Sequence, residues 1–138
     1  MERSNFEMLE VYQMAVKIAD VVWVMVGGWK YFARDTLGRQ LVTAADSIGA
    51  NIAEGCGRGS VQDNKRFVRI ARGSLNETRH WLKLAYQRKL IQQKHITQIK
   101  PLMDKLAPRL NAYLKFIDRK STRLNSSHIQ KSRMPSSA

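Results

Sequence analysis

Few residues in the body of this chain have the type and spacing to do chemistry. They are His80 and His95, a single cysteine at Cys56, and a polar set formed by Asn51, Glu54, Arg58, Ser74 and Glu77. The two histidines are too far apart in sequence to share one helix face, and no acid flanks either, so no metal-ligand spacing is present. No nucleophile motif of the Gly-x-Ser-x-Gly kind occurs. Asn51 and Glu54 lie three residues apart, as do Ser74 and Glu77, which puts each pair on one face of its own helix. Two carboxylates can in principle do acid–base work. The favoured reading is structural: Glu54 and Glu77 accept hydrogen bonds and ion pairs from Arg58, Arg72 or a neighbouring subunit. No catalytic residue, metal site, cofactor or small-molecule substrate is assigned, and the chain is read as no enzyme.

A second pattern is cationic. Lys65, Arg69, Arg72, Arg79 and Lys83 recur at 4-3-7-4 spacing, with Asn76 in the vacant place, so they form one stripe along a helix. Such a stripe can track phosphates, and each contact makes binding more salt-sensitive. The competing reading is a solvated helix face. No aromatic-rich sheet or zinc knuckle supports sequence-specific recognition, so binding to RNA or DNA is expected to be electrostatic.

The total charge needs a correction before it supports that reading. The 138 residues carry 24 basic and 11 acidic side chains, a net +13. Residues 118–138 show no helical or strand period. One choice of codons for 118–128 spells a widely used short-read sequencing adapter. Residues 132–138 match its continuation across a barcode-sized gap at 129–131. The segment is read as an adapter-derived tail, expected to be disordered, and the natural C-terminus is expected a few residues beyond Ile117. Leaving it out removes five basic residues and Asp118, so the remainder has 19 basic and 10 acidic residues and a net +9.

The elements that would position these residues are helices. Residues 6–26 show Leu9, Tyr12, Val16, Ala19 and Trp23 at three- and four-residue steps, with Gly27-Gly28 ending the helix. A loop to Thr36 follows, with Thr36 as a cap, and the exposed aromatics Trp29, Tyr31 and Phe32 suit a subunit interface. A second helix over 37–54 turns Leu41, Ala44 or Ala45, Ile48 and Ile52 inward, with Gly49 inside it. The glycine-rich turn 55–59 lacks the Lys-Ser/Thr ending of a phosphate loop. Ser60 caps a third helix in which Phe67, Ala71, Ser74, Thr78, Trp81 and Ala85 form a heptad seam, widened by Ile70, Leu75 and Leu82. It should end near Lys89. A fourth helix over 95–117 carries Ile99, Leu102 or Met103, Leu106, Leu110, Tyr113 or Leu114, and Ile117, and is expected to begin late or kink at Pro101 and Pro108. Trp23 and Trp81 fall on seams and read as core. The fold class is all-α, an antiparallel up-down-up-down four-helix bundle over residues 1–117. The longest apolar run, 21–26, is too short to span a bilayer. With one cysteine and no secretory leader pattern, the chain reads as soluble and cytoplasmic.

The stretch Asp46-Ser-Ile-Gly-Ala-Asn-Ile-Ala-Glu-Gly-Cys-Gly-Arg58, with Phe67-Val-Arg-Ile-Ala-Arg-Gly-Ser-Leu-Asn-Glu77, resembles the four helix bundle protein family, also called the 23S rRNA intervening-sequence protein family. The opening Phe6-Glu-Met-Leu-Glu-Val-Tyr-Gln-Met-Ala15 is similar to the family's start, so the resemblance covers essentially all of 1–117. Gly49 stands where proline is usual and Cys56 where an aromatic is usual. The resemblance implies a bacterial cytoplasmic protein with homopentameric relatives and no defining enzymatic activity. The combined expectation is a non-enzymatic homo-oligomer that binds RNA or DNA through the third-helix stripe. The alternative is a structural or protein-partner scaffold with no nucleic-acid role.

Overall fold

The structure is a computed structural model, which describes the backbone of residues 5–136 and the side chains of residues 5–120. After a short 3-10 turn, Asn5–Met8, come four long helices: α1 Glu10–Gly27, α2 Arg39–Cys56, α3 Val61–Gln87 and α4 Gln93–Ser136. α1 packs on α2, α2 on α3, α3 on α4 and α4 back on α1, the closed order of an up-down-up-down bundle. Its core draws on every helix: Ile18 and Val22, Leu41, Ile48 and Ile52, Val68 and Leu75, Leu106 and Leu110, all essentially without solvent exposure. Burying one such side chain stabilises the fold by about 1.5–3 kcal/mol.

The expected inner faces of α2 and α3 hold. Leu41, Ala44, Ala45, Ile48 and Ile52 are buried. On α3 the small seam residues Ala71, Ser74, Thr78 and Ala85 are buried as well, while Phe67 and Trp81 are half-buried. The Ser60 hydroxyl accepts from the Asp63 N–H at 3.1 Å, which satisfies one of the donors a helix start leaves open. Ile70, expected to widen the stripe, is 41% exposed.

Four expectations are corrected. The buried face of α1 is Val11, Met14, Ala15, Ile18, Val22, Met25 and Val26. The row Leu9, Tyr12, Val16, Ala19 and Trp23 lies on its flank, and Trp23 is 67% exposed. α1 is apolar on more than one side, so the period alone does not say which side faces inward. The stretch after Gly28 is not a loop. It re-enters helix at Tyr31–Ala33 and passes through a wider π-turn, Arg34–Gly38, into α2. Thr36 therefore caps nothing; its hydroxyl donates to the Phe32 carbonyl one turn back. Trp29 packs against the core, leaving Tyr31 and Phe32 as the exposed aromatics. Finally, α4 starts at Gln93 and stays helical through Pro101 and Pro108. Both prolines are exposed, so water can satisfy the carbonyls they leave unpaired.

The backbone of α4 continues as helix to Ser136, where the sequence suggested disorder beyond Ile117. The side chains of 121–138 fall outside the described residues. Two residues past the end of α3, Lys89 has a left-handed φ of 61°. The Leu90 N–H bonds the Ala85 carbonyl at 2.9 Å and the Lys89 N–H bonds that of Tyr86 at 3.0 Å, a Schellman closure made without glycine.

Candidate functional site

The polar set does not converge. Glu54 accepts from Arg58 at 2.8 Å, one turn along α2, and the Arg58 guanidinium lies 4.8 Å from the centre of the Phe67 ring. Asn51 donates to the Ser47 carbonyl at 2.8 Å. On α3, Glu77 accepts from the Trp81 indole N–H at 3.3 Å, while Ser74 is buried and its carbonyl receives the Thr78 hydroxyl. Among the described residues no hydrogen bond or ion pair joins the α2 members to the α3 members. Each carboxylate is held by a neighbour on its own helix or at its end, which is a structural arrangement.

His80 is exposed and meets Trp81 edge-on at 4.7 Å. His95 sits at the start of α4, and its Nδ1 is buried without a hydrogen-bond partner. Among the described residues no group of three or more His, Cys, Asp or Glu side chains could hold a metal ion. Cys56 makes a contact that the sequence did not suggest, its Sγ lying 3.6 Å from the Tyr113 hydroxyl of α4. Burial, and secondarily the contact with Cys56, push the Tyr113 phenol above its ordinary range, while Asn64 pulls the other way. The position where the resemblance expected an aromatic is thus packed by a tyrosine reaching over from another helix.

The basic stripe is the feature whose surroundings the sequence could not supply. Three of its five members point at α4. Lys65 is 2.6 Å from Asp118, with a side chain only 13% exposed. Arg72 donates to the Asn111 side chain at 2.9 Å. Arg79 donates to the Met103 carbonyl at 3.1 Å and lies 3.8 Å from Asp104. Lys100 reaches the same Asp104 at 2.7 Å, and this contact does most to hold the carboxyl below its ordinary range. Arg69 and Lys83 are exposed, with no ion pair among the described residues. Part of the stripe is therefore a polar clamp between α3 and α4, and part is open surface.

Charge is divided unevenly along the chain. Residues 1–60 hold six basic and seven acidic side chains, whereas residues 61–117 hold 13 basic and three acidic. The positive excess belongs entirely to the α3/α4 half. Arg66, Arg69, Lys83, Lys94, Lys105 and Lys115 are exposed there. The α1/α2 half exposes the large apolar side chains Met8, Trp23, Val24, Tyr31 and Phe32, and the α3/α4 half exposes Ile70, Tyr86 and Phe116.

A family model described as 23S rRNA-intervening sequence protein matches residues 7–112. The chain belongs to that family. The match spans α1 to α3 and most of the packed part of α4, including both motifs that carried the resemblance. Among solved structures, a protein with unknown function from the S23 ribosomal protein family of Bacteroides thetaiotaomicron is 27% identical. The alignment covers 76% of this chain and 94% of that one, with a TM-score of 0.63. No curated protein matches. Among the described residues of this family member, no helix is long and apolar enough to cross a membrane.

Proposed function

We propose that this 23S rRNA-intervening sequence family protein is a non-enzymatic, cytoplasmic homo-oligomer whose α3/α4 half binds RNA or DNA by phosphate charge. The observation that carries the reading is the charge partition: 13 basic against three acidic residues in 61–117, beside a first half with no excess. A polyanion is attracted to such a surface from a distance and held by several contacts in which side chains replace counterions. The open cations Arg69 and Lys83 are the members of the stripe free to reach phosphates. Lys65, Arg72 and Arg79 would contribute field while holding α4. The exposed apolar side chains of the α1/α2 half support self-association through that half, as a ring of five by family resemblance.

Filter binding of a generic single-stranded RNA at several salt concentrations tests the proposal. Affinity should fall steeply as salt rises, and the double variant Arg69→Gln, Lys83→Gln should reduce the slope by roughly one to two. No binding at low salt, or a slope near zero, sinks the nucleic-acid reading. The second reading, a scaffold with no nucleic-acid role, is favoured by the clamp itself, since three stripe cations are spent on α4. Light scattering addresses assembly separately: a monomer at micromolar concentration contradicts the homo-oligomer.

A further inference from the structure

A cavity of about 460 Å³ opens between the last turns of α3 and the first three turns of α4. That lies within the roughly 300–1,000 Å³ typical of small-molecule sites. It is lined by Leu82 and Tyr86 of α3, Ile91 of the connection, and Gln93, Ile96, Ile99 and Met103 of α4. Ile99 and Met103 are almost fully buried, so this floor is continuous with the core. The rim is charged. Arg79, Lys83 and Lys100 stand around the opening with a single acid, Asp104, among them. Asp104 is already shared by Lys100 at 2.7 Å and Arg79 at 3.8 Å, while Lys83 has no ion pair among the described residues. The opening thus carries two positive charges in excess, one of them uncommitted.

We propose that this cavity binds a small amphipathic monoanion of the medium-chain carboxylate class. The hydrocarbon chain lies along Leu82, Ile96, Ile99 and Met103, and the carboxylate meets Lys83. Both parts are needed. Most of the uncharged lining is aliphatic, with Tyr86 and Gln93 as its polar members; phosphate charge accounts for the rim, and the aliphatic well beneath it fits a hydrocarbon chain. The excess positive charge at the opening matches an anionic head group. Two cations that the sequence placed on a phosphate-tracking stripe, Arg79 and Lys83, are here the lip of an apolar pocket.

Titration calorimetry of the full chain with decanoate, kept below its micelle concentration, tests the proposal. Decanol and decyltrimethylammonium serve as neutral and cationic controls. Saturable binding of one decanoate per chain is expected, about tenfold tighter than decanol, with the cation weaker still. Lys83→Glu should weaken decanoate by roughly three- to tenfold and leave decanol unchanged. Ile96→Trp, which fills the half-buried wall with a larger apolar side chain, should abolish binding of both while the helical circular dichroism stays unchanged. Non-saturating uptake, equal affinity for decanol, or undiminished binding by Ile96→Trp overturns the proposal. So does a stoichiometry well below one that falls as protein concentration rises, which would assign the cavity to a neighbouring copy.

Discussion

In α1, apolar side chains occupy two sides of the helix; in α3 they occupy one. The inward row of α1 includes Ile18 and Val22, fully buried, while its outward positions Trp23 and Val24 are 67% and 71% exposed. The outward positions of α3 are Arg69, Asn76 and Lys83, all comfortable in water. Both helices build the same core, so the monomer explains the inner row of each. The outer row of α1 does nothing for the isolated bundle. Large exposed apolar side chains in one region are the mark of a surface that expects a neighbour. The bundle thus carries its cationic excess on one half and the larger share of its exposed apolar side chains on the other, and the two can be separated by mutation.

The largest separation should come within α1 itself. Ile18→Ala removes a fully buried side chain and should lower the unfolding free energy by about 2–5 kcal/mol. Trp23→Ala should leave denaturant stability of dilute protein within about 0.5 kcal/mol while weakening self-association in sedimentation experiments. Equal losses in the two melts would mean that Trp23 is core within one chain, and the contrast would collapse.

The seam that joins the two halves comes next. A Cβ added to Gly55 on α2 would lie 2.7 Å from Asn64 Oδ1 and 3.0 Å from Phe67 Cβ, both on α3. The Asn64 amide can swing aside, but Phe67 Cβ and the Asn64 carbonyl oxygen, 3.1 Å away, move only with their helix. Gly55→Ala should cost about 1–3 kcal/mol in chemical denaturation, as overpacked sites do. A neutral result would show that α2 and α3 are less tightly joined than their geometry implies.

How much of this was legible beforehand follows from the same contrast. α2 and α3 each have one apolar face, so their buried positions and the Ser60 cap could be read from spacing. α1 has two, and spacing picked out the flanking row. The stripe's helical period was correct as geometry, but period cannot say what stands opposite it. Asn111, Asp104 and the Met103 carbonyl, which engage Arg72 and Arg79, come from a helix some 25 to 40 positions further on. The cavity above Ile99 and the Cys56–Tyr113 contact depend on the same long-range pairing. Neither carries a local signal.

On the cationic half, the end of α3 offers a smaller effect in the opposite direction. Lys89 takes a left-handed backbone that an L side chain adopts at a cost of about 1–2 kcal/mol, whereas glycine adopts it freely. Part of that gain is lost to glycine's greater freedom when unfolded. Lys89→Gly should therefore raise stability by about 0.5–1 kcal/mol in thermal or urea melts. A loss would mean that the Lys89 side chain makes a contact worth more than the strain.

The smallest effect returns to the α1/α2 half. Asp46 on α2 lies beside Asp20 on α1, in a shallow groove whose other walls include Tyr12, Val16, Gly49 and Ala50. Partial burial, then repulsion from Asp20, raise the Asp46 carboxyl above its ordinary 3.8. A raised acid binds its proton more readily in the folded state than in the unfolded chain. Stability from this group is therefore full below pH 3.8 and lost as pH rises through the folded value. Asp46→Asn should stabilise the protein slightly at neutral pH, by less than about 0.5 kcal/mol given solvent screening. The difference should vanish in melts below pH 3.8. In the monomer the effect should be independent of protein concentration. If this face is buried between copies, both carboxyls lose solvent on assembly, and neutralising one should strengthen self-association more than it strengthens the fold. Sedimentation at neutral pH of Asp46→Asn beside the parent chain reads that directly. A shift in melting without any shift in association would place the interface elsewhere than the α1/α2 groove.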